Sequence, residues 1–137
     1  MNPATSVVPP PVFSVPVEEA PAPFDVHALD TTPDDALDRL PFGVIGVDRE
    51  GRIQRYNLAE SRFARLDRRT VLGRNFFAEV APCTRTAAFE GRFRSFVAGR
   101  ESSLRFPYVF DFKFGAQEVE VELVRGAVGE RTYLLIN

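Results

Sequence analysis

The sequence predicts a single α+β domain, in which an antiparallel sheet of about five strands has helices packed on one face. The length of 137 residues suits one domain with one hydrophobic core. Strand-like segments lie at both ends of the folded part and helix-like segments lie between them, the order expected for such a sheet. The clearest single sign is the alternation of large apolar residues with other residues over 104–114.

The first 25 residues differ in composition from the rest of the chain. Seven of the eleven prolines lie within residues 1–23, and the first glycine is Gly43. This composition favours an extended segment, so we expect a proline-rich mobile tail over 1–25 and a folded domain over 26–137. The alternative, that the tail is a docking peptide for another domain, stays open.

A short helix and a hairpin are predicted at the start of the domain. Residues 36–40 follow capping residues and a proline, which favours a short helix that Pro41 ends. Residues 42–48 are predicted as a buried strand because β-branched residues are frequent there. A turn at 49–52 then leads into a return strand at 53–56.

Helices are predicted to follow the hairpin. Asn57 has a side chain suited to capping a helix, and Glu60 follows at the spacing of a capping box. We expect a helix over 58–65, a second short helix ending at Gly73, and a short apolar segment over 76–80. A longer helix is expected to open at Pro82-Cys83-Thr84 and to end at Gly99, with an apolar stripe that includes Phe89, Phe93 and Phe96.

The last forty residues are predicted to be three strands. In the first, Leu104, Phe106, Tyr108, Phe110, Phe112 and Phe114 share one face. A turn is expected at 115–117, and the next strand alternates apolar residues with glutamates at 118, 120 and 122. A second turn over 126–130 precedes a last strand over 132–136. The glutamate stripe is interpreted as a solvated sheet face rather than a metal site.

Charge and composition exclude several classes of function. The net charge is −2, and the chain has no basic cluster of the kind that binds nucleic acid or an anionic membrane. The N-terminus lacks the features of a signal peptide, and no run of apolar residues is long enough to span a membrane. We therefore expect a cytoplasmic protein. A single cysteine, Cys83, can form neither an internal disulfide nor a cysteine-rich metal site.

Several short motifs resemble a PAS domain and, more specifically, the photoactive yellow protein family. The resemblance covers roughly residues 38–136. It rests on Tyr56-Asn57, Ala59-Glu60, Gly73, Asn75-Phe76-Phe77, Val80-Ala81-Pro82-Cys83, Phe89, Gly91, Phe93, Phe106, Tyr108 and Phe110-Asp111. The combination of the Val-Ala-Pro-Cys run with Tyr and Glu at this spacing is the most specific part.

The resemblance implies a blue-light photoreceptor that carries p-coumaric acid as a thioester on Cys83. Tyr56 and Glu60 would bind the phenolate end, and Glu60 must be protonated to donate a hydrogen bond. By resemblance the wider pocket includes Ile45, Phe76, Val80, Ala81, Pro82, Thr84, Phe110 and Phe112, although ordinary core packing would also bury several of these. For Glu60 the alternative is a surface carboxylate that caps the helix beginning at Asn57.

The implied mechanism is non-enzymatic. Light isomerises the chromophore, Glu60 gives up its proton, and partial unfolding exposes a signalling surface to a partner or fused output domain. The first alternative is a non-photoactive PAS module for sensing or dimerisation, which binds another ligand or uses Cys83 as a redox thiol. A second alternative is a small hydrolase or transferase with Cys83 as nucleophile, for which His27 is the only imidazole base in the chain.

Four positions depart from the family pattern. Ala64 replaces a threonine that bonds to the tyrosine, and Leu66 stands where an arginine shields the phenolate. Phe112 replaces a tyrosine, and Phe114 occupies a loop position often held by methionine. Arg62 and Arg65 are candidates to replace the missing arginine. We expect these departures to change the dark-state pKa or colour and the recovery rate.

Overall fold

A five-stranded antiparallel sheet, in the order β2-β1-β5-β4-β3, forms the centre of the protein. A computed structural model describes residues 25–127 and 130–137. The strands are β1 Gly43–Val47, β2 Ile53–Tyr56, β3 Ser103–Phe112, β4 Gly115–Arg125 and β5 Thr132–Ile136. The α+β class and the strand number predicted from the sequence are confirmed, whereas the tail predicted over 1–25 lies, except for Asp25, outside the described residues.

Short helices connect the strands. They are α1 Asp34–Leu37, α2 Leu58–Ala64, α3 Arg68–Val71 and α4 Arg92–Ala98, with single 3₁₀ turns at Val26–Thr31 and Pro82–Thr84 and π-helical turns at Phe76–Val80 and Ala87–Gly91. Within the described part of the chain, none of these helices is long and apolar enough to cross a membrane.

The main core lies between one face of the sheet and the helices. Ile45 of β1 pairs with Tyr56 of β2, so both side chains leave the same face of the sheet. On β3 the alternation predicted from the sequence buries Phe106 and Phe110 on that face, while Val109 stays exposed on the other. The phenyl-rich core that the pattern indicates is therefore present.

A second, smaller core covers the opposite face, which the sequence predicted to be partly open. Leu29 and Leu37 from the segment 26–40 pack there against Val44, Tyr133 and other residues of the sheet. Arg55 of β2 fastens this segment, because its guanidinium donates to the carbonyl oxygens of Leu29 and Thr32. The segment 26–40 is thus part of the fold and tied to β2.

Two predicted boundaries are wrong. Pro82-Cys83-Thr84 does not open the long helix, because Thr86 is extended (φ −137°, ψ 164°) and its side chain caps a new helical segment. The predicted turn at 115–117 is also wrong. Phe112 pairs with Gly115, so Lys113 and Phe114 form the two-residue turn and residues 115–117 lie inside β4.

Candidate functional site

Glu60 lies on the first turn of α2 with its carboxyl group inside the protein. Asn57 caps the helix as predicted, accepting a hydrogen bond from the Glu60 backbone N–H at 3.1 Å. The Glu60 residue is only 2% exposed, and its Oε1 has no hydrogen-bond partner among the described residues. The alternative of a surface carboxylate is therefore wrong.

Burial decides the protonation state of Glu60. The loss of solvation raises the pKa of this carboxyl from 4.5 to about 8. At neutral pH the group is therefore mostly protonated, and a protonated carboxyl can donate a hydrogen bond. A buried donor without a protein acceptor is unusual and marks a place where a ligand atom would fit.

Gly43 leaves the room that the Glu60 carboxyl occupies. A Cβ built on Gly43, the first residue of β1, would lie 2.1 Å from the Glu60 Oε1. No side chain can be accommodated at this distance unless the carboxyl moves. The sequence analysis did not single out this glycine, although a glycine inside a strand often marks a close approach of another group to the backbone.

Tyr56 lies at the end of β2, next to Asn57, and is 3% exposed. Burial, and to a lesser extent the nearby Glu60 carboxyl, raises the pKa of Tyr56 well above its usual 10.0. The phenol therefore remains protonated and can donate, as Glu60 can. Two neutral donors in an apolar core are the chemistry expected around a buried anion.

Cys83 is a free thiol in the 3₁₀ turn Pro82–Thr84, half-buried against the main core. Its main-chain carbonyl accepts a hydrogen bond of 2.6 Å from the Tyr108 hydroxyl on β3. The neighbouring Thr84 is fully buried and its hydroxyl donates to the Ala81 carbonyl at 2.6 Å. Two hydrogen bonds thus hold the turn that carries the thiol, one from Tyr108 of β3 and one from Thr84 to Ala81.

Aromatic rings connect the cysteine to the helix that carries Glu60. Phe63, one turn after Glu60 on α2, lies edge-on to Phe110 and Phe112 at centroid distances of 5.7 and 5.3 Å. Phe110 in turn meets the ring of Tyr108 at 5.8 Å. Phe63 was not predicted as a site residue. Its position three residues after Glu60, on the same face of the helix, is the signal that could have indicated it.

The other predicted pocket residues differ in how deeply they are buried. The main core contains Ile45, Tyr56, Phe76, Ala81 and Phe110, with Val80, Cys83 and Phe112 packed against it. Thr84 is buried beside the cysteine. Pro82, however, is exposed, so its side chain does not form part of the buried pocket. Phe76 packs mainly on Phe77 and Phe89, which makes it a general core residue as well.

The departures from the family pattern lie at the end of α2 and at the end of β3. Leu66 packs against the main core, and Ala64 has no hydroxyl to offer Tyr56. The Arg65 guanidinium lies 3.9 Å from the centre of the Phe114 ring, which stacks on Phe112 at 4.7 Å. Of the two candidate arginines, Arg65 thus contacts the ring cluster from outside.

The residues present fit a chromophore of the kind the resemblance implies. A thiol at one end and an unpartnered buried donor, Glu60 Oε, at the other match an acyl group with a phenolate tip. Four surface clefts stand out among the described residues, and neither Cys83 nor Glu60 lines any of them. Phe63 packs against the main core beside Phe110 and Phe112, so these rings are candidates to contact a bound group.

Comparisons with known proteins bear on the family of the chain. Residues 32–136 match the family model of the PAS fold. The photoactive yellow protein of Halochromatium salexigens is 34% identical over 110 residues, which is 80% of this chain and 88% of that protein. That of Rhodothalassium salexigens is 36% identical over the same shares of the two chains.

Solved structures show the same relationship. The photoactive yellow protein domain of the sensor histidine kinase Ppr from Rhodospirillum centenum has a TM-score of 0.77 and 39% identity, covering 80% of this chain and 96% of that domain. A PAS domain of an HTR-like protein from Haloarcula marismortui has a TM-score of 0.59 at 18% identity and covers 76% and 91% of the two chains, which shows the fold alone. The chain therefore belongs to the photoactive yellow protein family of PAS-fold photosensors.

Proposed function

We propose that this chain is a blue-light receptor domain with p-coumaric acid bound to Cys83 as a thioester. The observation that carries the proposal is the buried, unpartnered Glu60 donor in the same core as a lone half-buried thiol. Members of this family are sensors rather than enzymes, and we expect no catalysis. The alternative, a PAS module that uses Cys83 as a redox thiol, leaves the Glu60 donor unexplained.

Attachment would occur at the Cys83 sulfur. The sulfur attacks the acyl carbon of an activated p-coumarate, an S–C bond forms, and the activating group leaves with the electron pair of the bond that breaks. Because Cys83 is the only cysteine of the chain, the product is a single defined adduct. Ala81 and Phe110 would line the bound group, together with Phe63 and Phe112 once the rings separate.

The polar end would be held by Tyr56 and Glu60. Glu60 is mostly neutral at pH 7 because burial raises its pKa to about 8, and a tyrosine is neutral at this pH in any case, so both can donate to a phenolate oxygen. When bound, the chromophore supplies light absorption and a double bond that isomerises. Of the two donors Glu60 has the lower pKa and would afterwards give its proton to the phenolate oxygen, which leaves a buried carboxylate with no cationic partner found among the described residues.

The consequence for the fold follows from the position of Asn57. Its Oδ1 accepts the Glu60 N–H, while its Nδ2 donates to the carbonyls of Leu37 and Phe42 at 2.8 and 3.0 Å. A charge on Glu60 therefore acts next to the residue that fastens the segment before β1. We infer that loosening of this segment is the signal, which a partner or an output domain reads. The Rhodospirillum relative is itself a domain of a sensor histidine kinase.

The test is reconstitution of the purified apoprotein with activated p-coumarate. We expect a visible band that survives denaturation and disappears with base or excess thiol, and a Cys83→Ala protein that stays colourless. Glu60→Gln should load normally but show altered kinetics of the light-induced change. A wild-type protein that remains colourless, or colour in Cys83→Ala, would refute the proposal and favour the non-photoactive PAS module.

A further inference from the structure

The Tyr108 hydroxyl makes the only side-chain hydrogen bond found to the Cys83 carbonyl in the described structure. Tyr108 lies on β3, twenty-five residues further along the chain, and the O–O distance is 2.6 Å. A tyrosine hydroxyl has one hydrogen, which this bond uses. The contact of 3.0 Å between the Tyr108 and Thr86 hydroxyls therefore has Thr86 as the donor.

Thr86 extends the chain of hydrogen bonds to the next helical segment. Its Oγ1 accepts the Phe89 N–H at 3.3 Å and caps the turn Ala87–Gly91. The Phe89 ring also lies edge-on to the Tyr108 ring at 5.0 Å. The Tyr108 hydroxyl therefore links three parts of the protein, which are the cysteine turn, the edge strand β3 and the helical segment Ala87–Gly91.

The peptide plane after Cys83 is fixed by this contact. The turn has only three residues, and its other hydrogen bonds, such as Thr84 N–H to Ala81 O at 2.9 Å, stay within it or involve the adjoining residues. Among the described residues, only Tyr108 connects the Cys83 carbonyl to the sheet by a side-chain hydrogen bond. Holding this carbonyl restrains the ψ angle of Cys83, and with it the direction of the Cα–Cβ bond from which the Sγ atom projects.

We propose that Tyr108 is a positioning residue, which sets the orientation of whatever acyl group Cys83 carries and whose own hydroxyl is oriented by Thr86. This inference rests on the proposed function and adds to it a determinant of the attachment end. Tyr108→Phe removes the hydroxyl and keeps the ring contacts with Phe89 and Phe110. We expect it to shift the visible band and to change the dark recovery rate by ~3- to ~10-fold, the effect of one hydrogen bond.

A single isotope label gives a direct readout. Cysteine labelled with ¹³C at the carbonyl produces one signal, because the chain has one cysteine. Its chemical shift should move in Tyr108→Phe and stay in place in Tyr133→Phe, a control that removes a hydroxyl from the opposite face of the sheet. Thr86→Val should broaden the signal, and Thr86→Ser should restore the wild-type spectrum.

The outcomes separate this inference from the proposed function. An unmoved label signal in Tyr108→Phe overturns the inference, as does a moved signal with wild-type band position and recovery rate. A wild-type chain that stays colourless overturns the proposed function instead. In that case the label signal of the apoprotein alone decides whether Tyr108 holds the Cys83 turn.

Discussion

Replacing Glu60 by glutamine should change how the stability of the apoprotein depends on pH. The unfolded chain releases this proton near pH 4.5, whereas the folded protein keeps it up to about pH 8 because the carboxyl is buried. Below pH 4.5 both states are protonated and the carboxyl carries no ionisation penalty. Between pH 4.5 and 8 the unfolded state alone ionises, so the free energy of unfolding falls as the pH rises.

The size of the effect follows from the two pKa values. One pKa unit corresponds to ~1.4 kcal/mol, so the rise from 4.5 to about 8 is worth up to ~5 kcal/mol. This is a large part of the ~5–15 kcal/mol that stabilises a typical domain. Glu60→Gln has no proton to release, and its stability should lack this decline.

Urea unfolding between about pH 5 and about pH 9 measures the difference. The free energies of unfolding of the wild type and of Glu60→Gln, plotted against pH, should diverge progressively up to pH 8. All other titrating groups are present in both proteins and contribute equally to the two plots. Glu118→Gln, on an exposed position of the sheet, is the matched control and should follow the wild type. Parallel wild-type and Glu60→Gln curves would mean that Glu60 ionises freely in the folded protein, and the protonated-donor argument would be wrong.

Substitutions at Gly43, Asn57 and Phe63 test the surroundings of the site. Gly43→Ala should cost roughly 1–3 kcal/mol, because the new Cβ collides with the buried Glu60 carboxyl group, whereas the control Gly91→Ala meets only ordinary contacts at 3.7 Å and should be neutral or stabilising in urea unfolding. Asn57→Ala should lose about 2–4 kcal/mol, and Asn57→Asp, which keeps the cap acceptor but lacks the amide donor, should lose less; equal losses would exclude a contribution from the cap acceptor. Phe63→Leu should accelerate loading with activated p-coumarate, followed by visible absorbance, and an unchanged rate would show that this ring does not obstruct entry.

The parts of the fold that sequence patterns predicted are those governed by local periodicity. The strands follow from alternation and β-branching, and the start of α2 follows from Asn57. The break before Ala87 was missed because the helix was predicted to begin at Pro82, a residue that favours the first turn of a helix, although the apolar stripe starts only after the break. Thr86, a good N-cap residue ahead of that stripe, was the available signal. The turn between β3 and β4 was misplaced because Gly115 was assigned to it. In the structure Gly115 has a positive φ of 135° and is the first residue of β4.

The residues predicted for the two ends of the candidate site, Cys83, Tyr56 and Glu60, come from the family resemblance, and their role stays a prediction. The room beside Gly43 and the hydroxyl of Tyr108 could not be predicted, because they depend on contacts between residues far apart in the chain. The second core was missed for the same reason. Arg55, which binds the segment 26–40 through its guanidinium, belongs to no repeating pattern in the sequence. Its role can be recognised only from the positions of the carbonyl oxygens to which it donates.

The arrangement around β2 explains why a charge on Glu60 would act on the segment before the sheet. Arg55 and Asn57, on either side of Tyr56, together donate to four carbonyls of that segment and of the loop that follows it. At ~1 kcal/mol for each hydrogen bond, these four are worth about as much as the ~5 kcal/mol that ionising Glu60 costs. The penalty is therefore comparable with the free energy that these four contacts contribute. Because Asn57 binds Glu60 and two of those carbonyls, the attachment of Leu37 and Phe42 is the first that the charge would weaken.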